Sequence, residues 1–102
     1  MKVVWTKSAL ASLQYIYQYY KRNVSITIAS NIRELILTVS LQLENFPSSG
    51  QVEGLLNETK YKFRYIIRGR YKIIYTILKD KVFITDIFDT RQDPDKIKER
   101  NK

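Results

Sequence analysis

The chain has 102 residues, 18 of them Lys or Arg against 10 Asp or Glu, and it contains no cysteine and no histidine. Without cysteine there is no disulfide and no thiolate metal site; without histidine the commonest general base near neutral pH and the commonest metal ligand are missing. Zinc chemistry and a histidine-dependent triad are therefore excluded, and neither a metal nor another cofactor is expected.

The length suits a single domain over 1–102, and a 44% hydrophobic share with 13% aromatics is enough for a core without staples. The net charge of +8 attracts polyanions or an acidic protein partner. The opening Met1-Lys2-Val3-Val4-Trp5 carries no apolar stretch long enough for a signal peptide or a membrane span. The expectation is a soluble cytoplasmic protein with no membrane partner.

In chain order, Lys2 to Trp5 is a short β-rich run, and Thr6 is placed to cap a helix. Apolar positions Leu10, Leu13, Ile16, Tyr17 and Tyr20 follow at helical spacing. The helix should end near Lys21-Arg22-Asn23, where cations suit the C-terminal dipole. Ser25 can cap a second helix with the stripe Ile28, Ala29, Ile32, Leu35, Ile36, Val39 and Leu43. Pro47 cannot continue it and pushes Phe46 toward extended geometry. So short a connection between the helices predicts an antiparallel αα-hairpin.

Ser48 to Thr59 reads as a loop punctuated by Gly50 and Gly54. Three strand-like runs come next: Tyr61 to Ile67, Tyr71 to Leu78 and Val82 to Phe88. Their polar connectors, Arg68-Gly69-Arg70 and Lys79-Asp80-Lys81, predict an antiparallel meander. Asp93 and Pro94 look like the cap and first residue of a last short helix. The order β-α-α-β-β-β is that of an α+β fold, an antiparallel sheet with the helical hairpin packed on one face.

From Lys60 to Lys72 the chain carries six cations (Lys60, Lys62, Arg64, Arg68, Arg70, Lys72) and no acid. Alternation sends Phe63, Tyr65 and Ile67 to one side of the first meander strand and Lys62, Arg64 and Arg68 to the other. On the next strand Tyr71, Ile73, Tyr75 and Ile77 oppose Arg70 and Lys72. Pairing the two apolar sets gathers the cations on the face away from the helices. A solvated sheet face ordinarily mixes signs, because like charges directly opposite one another are unfavourable. The patch therefore reads as a binding surface for phosphate or for an acidic protein groove. Most tyrosines read as core or rim packing, with Tyr61 open to either use. Asp86 inside the last run suggests a partner Arg or an edge position, and Glu44, Glu53 and Glu58 form no recognisable carboxylate pair.

Taken together, the opening strand ending in Trp5, the loop Phe46-Pro47-Ser48-Ser49-Gly50, the run Gly69-Arg70-Tyr71-Lys72-Ile73-Ile74-Tyr75 and the close Ile87-Phe88-Asp89-Thr90-Arg91-Gln92-Asp93-Pro94 resemble the RelE/ParE toxins. The likeness covers nearly the whole chain. It implies the growth-inhibiting toxin of a bacterial type II module, held inactive in a hetero-oligomer with its cognate antitoxin.

Two activities occur among such toxins. RelE-like members cut messenger RNA on the ribosome; ParE-like members bind DNA gyrase and trap its cleaved DNA complex without catalysis of their own. Metal-free RNA cleavage needs a proton acceptor for the 2′-hydroxyl, a donor for the 5′-oxygen and cations for the phosphorane charge. In the resemblance, Lys72 matches a central-strand Arg in position but not in side chain, and Arg91 matches the Arg after the last strand. These two are the catalytic candidates of the RNase alternative. The C-terminal Tyr or His of that scheme has no counterpart in Gln92-Asp93-Pro94-Asp95-Lys96-Ile97. A gyrase poison needs only a surface, built here from Lys62, Arg64, Arg68, Arg70, Lys72 and Arg91. Whether the chain is an enzyme stays open at this stage, with the gyrase reading preferred. A plain basic nucleic-acid-binding module ranks third, since no recognition motif is present.

Overall fold

The computed structural model describes residues 1–54 and 60–91. Its elements are β1 (Lys2–Trp5), α1 (Lys7–Asn23), α2 (Ile26–Asn45), β2 (Gln51–Val52), β3 (Phe63–Arg68), β4 (Tyr71–Leu78) and β5 (Lys81–Asp89). The expected closing helix at Asp93-Pro94, and Glu58, lie outside the described residues.

Both helices begin at their expected caps. The Ala9 N–H donates to Thr6 Oγ1 at 3.2 Å and the Ile28 N–H to Ser25 Oγ at 3.1 Å, each satisfying one orphan amide of a first turn. Only Val24 and Ser25 separate the helices, and both their amides donate to the Tyr20 carbonyl, which closes the hairpin. Inward faces bury Ala9, Leu13 and Ile16 from α1 and Ala29, Ile36, Val39 and Leu43 from α2. Each larger apolar side chain so buried contributes about 1.5–3 kcal/mol. Leu10, Ile28 and Leu35, counted on the stripes by spacing, are exposed because the buried arc is narrower than the apolar one.

The five strands stand in the order β1-β5-β4-β3-β2. The meander β3-β4-β5 is antiparallel, as its connectors imply. Two features go beyond the sequence reading. β1 adds to the sheet parallel to β5, and the loop after α2 contributes a two-residue edge strand, with Gln51 opposite Tyr65 and Val52 opposite Arg64. Trp5 secures the outer strand to the helices, its indole N–H donating to Ser40 Oγ at 2.7 Å.

The turns decide which side chains face the helices. Arg68 pairs with Tyr71, so β3 and β4 are joined by the two-residue turn Gly69-Arg70, with Gly69 at φ +58°. Arg64, Ile66 and Arg68 therefore share a face with Tyr75, Ile73 and Tyr71, against the helices. Phe63, Tyr65 and Ile67 share the outer face with Thr76, Ile74 and Lys72. This overturns the expectation of one basic face, because the three-residue connector assumed from sequence shifts the pairing by one residue and exchanges the faces. Two apolar clusters result. The larger lies under the helices around Ile36, Leu43, Ile73, Tyr75 and Ile84; the smaller lies on the outer face around Phe63, Ile74 and Phe88.

A bulge adjusts β5 as well. Tyr75 opposes Ile84 but Ile74 opposes Asp86, leaving Thr85 as the extra residue. Beyond it Ile87 and Asp89 pair with Ile73 and Tyr71, on the helix side. Asp86 is buried; its Oδ1 accepts the Ile87 N–H at 2.9 Å and lies 3.5 Å from the Ser12 hydroxyl.

Candidate functional site

The cations singled out by the sequence fall into three environments. Lys72, second residue of β4, points to the outer face. Its ammonium lies 2.7 Å from Glu53 Oε2 and 4.3 Å from the centre of the Tyr65 ring. The Glu53 side chain is only 3% exposed. The ammonium is thus neutralised in place by a buried carboxylate and covered by a ring.

Arg64 and Arg68 serve the helix side. Arg64 Nη1 donates to the Gly50 carbonyl at 2.8 Å, holding the loop that leads into β2. Arg68 Nε donates to Thr38 Oγ1 at 3.2 Å, its Nη2 donates to Gln42 Oε1, and its Nη1 caps the Ile67 carbonyl at 3.0 Å. Both guanidiniums are largely occupied in fastening the sheet to α2 and its following loop. Lys62 is exposed ahead of β3, where its carbonyl accepts the Thr76 hydroxyl at 2.7 Å.

Arg70 and Arg91 meet at a third place, a cleft of about 570 Å³ between α1 and the ends of β4 and β5. Arg91 closes a fork on Asp89, with Nη2 2.9 Å from Oδ2 and Nε 3.2 Å from Oδ1, and its own amide donates to Oδ1 at 2.9 Å. These hydrogen bonds, helped by the charges of Arg91 and Arg70 and opposed by partial burial, hold the Asp89 carboxyl below its ordinary range. Arg70 lies over the rings of Tyr20 and Tyr71, 5.2 and 5.6 Å from their centres, and reaches Asp89 only at 3.9 Å. From α1 the cleft is lined by Ser8, Ser12, Tyr15 and Tyr19 among others.

Lys72 and Arg91 are therefore on opposite faces of the sheet, each with a carboxylate of its own. Sequence reading missed both counter-ions. Glu53 carried no signal, since it sits in an irregular loop; Asp89 carried a weak one, two residues before Arg91. Among the described residues, no three metal-ligating side chains converge.

The family model for the ParE toxin of the type II toxin–antitoxin system parDE matches residues 3–94. The chain belongs to the ParE toxin family. A chain of a solved structure, "Chromosomal ParDE TA system from P. aeruginosa", is similar at a TM-score of 0.73 and 19% identity, over 87% of this chain and 95% of that one. At that identity the likeness speaks for the fold. No curated protein matches. Three cations of the sheet, Arg64, Arg68 and Lys72, each hold a structural partner. No helix among the described residues is long and apolar enough to cross a membrane.

Proposed function

We propose that this ParE-type toxin, neutralised by a cognate antitoxin, arrests growth by binding DNA gyrase and stabilising its cleaved DNA complex, with no reaction of its own. The observation that carries the proposal is the separation of Lys72 from Arg91. A ribonuclease of the RelE kind would need both cations beside one phosphodiester. Here Lys72 is held by Glu53 under the Tyr65 ring on the outer face, while Arg91 is forked onto Asp89 on the helix side. Bringing them to one phosphate would break two ion pairs and cross the sheet. The absence of histidine from the sequence removes the usual proton carrier as well. A poison that works by occupancy needs none of these groups free.

The test is pulse-labelling of DNA and protein synthesis within minutes of inducing the chain in a bacterium. An early fall in DNA synthesis with double-strand breaks, translation holding, is expected. An early fall in translation, without breaks, overturns the gyrase reading in favour of ribosome-dependent cleavage of messenger RNA.

A further inference from the structure

The cleft between α1 and the ends of β4 and β5 has walls of its own beyond the Arg91–Asp89 fork. Its volume of about 570 Å³ lies in the range of ligand and anchor-residue pockets. One wall is aromatic: Tyr15 and Tyr19, one turn apart on α1, are 72% and 48% exposed. Rings so open to water on a helix otherwise lined here by Ser8, Ala11 and Ser12 are available to a partner. The small residues leave room for a side chain to enter beside the rings.

The other wall supplies charge in an unequal way. The Arg91 fork is spent on Asp89. Arg70 is different: its guanidinium lies over the Tyr20 and Tyr71 rings, donates no hydrogen bond among the described residues, and reaches the Asp89 carboxylate only at 3.9 Å. A guanidinium already ordered by stacking, with its donors unspent, is prepared to grip one oxyanion with two parallel hydrogen bonds.

The balance of charge selects the class of ligand. Among the described lining residues, Arg70 and Arg91 against Asp89 leave a single net positive charge. That matches one carboxylate; a run of phosphates would meet the Asp89 carboxylate next. Tyrosine and arginine are also enriched at protein-recognition surfaces, where rigid rings supply contact area and arginine supplies anchoring. We propose that this cleft docks a protein segment that presents one Asp or Glu to Arg70 and an apolar or aromatic side chain to the Tyr15–Tyr19 wall. The site lies on the opposite side of the sheet from Lys72.

The test selects peptides from a random twelve-residue display library on the immobilised, full 102-residue chain. Binders should be enriched in an acidic residue close to an apolar one. Synthetic copies should lose at least about tenfold in affinity when that acid becomes its amide, and as much against Arg70→Gln or Tyr15→Ser protein. Lys81→Gln, exposed at the far end of β5 from the cleft, should bind like the parent, and the fluorescence of the lone tryptophan, Trp5, reports that each variant is folded. Binders indifferent to Arg70→Gln, or a selection that yields none at the cleft, overturn the proposal. A twelve-nucleotide oligothymidine that binds the parent but not Arg70→Gln would also overturn it, giving the cleft to nucleic acid.

Discussion

Lys72 and Glu53 form a 2.7 Å ion pair on the outer face of the sheet, with the lysine side chain 18% exposed and the glutamate 3%. The lysine that sequence reasoning offered as a catalytic cation is thereby part of what holds the loop after α2 against β4. Removing one member of a buried pair costs about 3–5 kcal/mol, because the charge left behind stays desolvated. Lys72→Met should therefore destabilise more than Glu53→Gln, since the exposed end of the lysine can still reach water. Joint replacement by Met and Gln should cost less than the sum of the single changes. Urea denaturation of the four proteins measures this, and strictly additive costs would deny the pair its coupling. Loss of toxicity in Lys72→Ala must accordingly be read together with the folded fraction.

Gly50 and Tyr75 make a second clamp on the same loop. The Gly50 N–H donates to the Tyr75 hydroxyl at 2.9 Å, and that hydroxyl donates to the Pro47 carbonyl at 2.8 Å. Tyr75→Phe leaves both backbone groups unanswered in the interior, at a cost of about 1–3 kcal/mol. Gly50→Ala should cost a similar amount, because its Cβ would come within 2.5 Å of the Tyr75 hydroxyl and 2.7 Å of the Tyr65 carbonyl oxygen. Burial raises the Tyr75 hydroxyl above its ordinary 10.0, with the Gly50 hydrogen bond and the Arg64 charge opposing in part. The fold favours the neutral phenol, so its contribution is complete below 10.0 and is lost as pH rises through the folded-state value. Denaturation midpoints at alkaline pH should fall more steeply for the parent than for Tyr75→Phe.

Asp89 gives the opposite dependence. Its carboxyl is held below the ordinary 3.8, first by the side-chain hydrogen bonds of Arg91. A depressed acid stabilises the fold above 3.8, and that contribution disappears as pH falls through the folded-state value. Carboxyl ¹³C titration by NMR should place Asp89 below the chain's exposed acids, and Arg91→Gln should bring it back toward them. An unchanged titration in Arg91→Gln would remove the fork as the cause.

The turn between β4 and β5 places Lys79 at φ +49° and Asp80 at φ +63°, the pattern of a type I′ turn built without glycine or asparagine at its first position. Left-handed backbone is unfavourable for an ordinary side chain by about 1–2 kcal/mol per residue. Replacing Lys79-Asp80 with Asn-Gly should raise stability by about 1 kcal/mol, seen as a higher thermal midpoint, without altering the cleft. A lowered midpoint would show that the lysine or aspartate makes up for its strain elsewhere.

The local pattern was sufficient for much of the fold. Thr6 and Ser25 announced both helices, Pro47 marked where the second had to stop, and three β-rich runs with short polar connectors announced the meander. These are nearest-neighbour effects of caps, ring geometry and alternation, and they need no distant partner. The ordered set of motifs also carried the resemblance to the RelE/ParE toxins. The parallel docking of β1 on β5 was not legible, because four residues of strand carry no sign of their partner.

The site divided differently. Which residues are basic was plain; which face they occupy was settled by one residue of turn length. The run Phe63-Arg64-Tyr65-Ile66-Ile67-Arg68 alternates apolar and basic side chains except at Ile66, but both faces of this sheet carry apolar clusters and the apolar parity belongs to the outer one, so periodicity pointed to the wrong face. Gly69 as the first of two central turn residues was the only local clue, and it pairs Arg68 with Tyr71. The bulge at Thr85 then turned Asp89 toward Arg70 and α1, and Glu53 reached Lys72 across 19 positions of chain. Sequence alone determined the elements, the charge and the family pattern, because those follow from local chemistry. Tertiary structure alone decided which cations of the sheet are tied to a partner, because a charge is neutralised by whatever the register brings beside it.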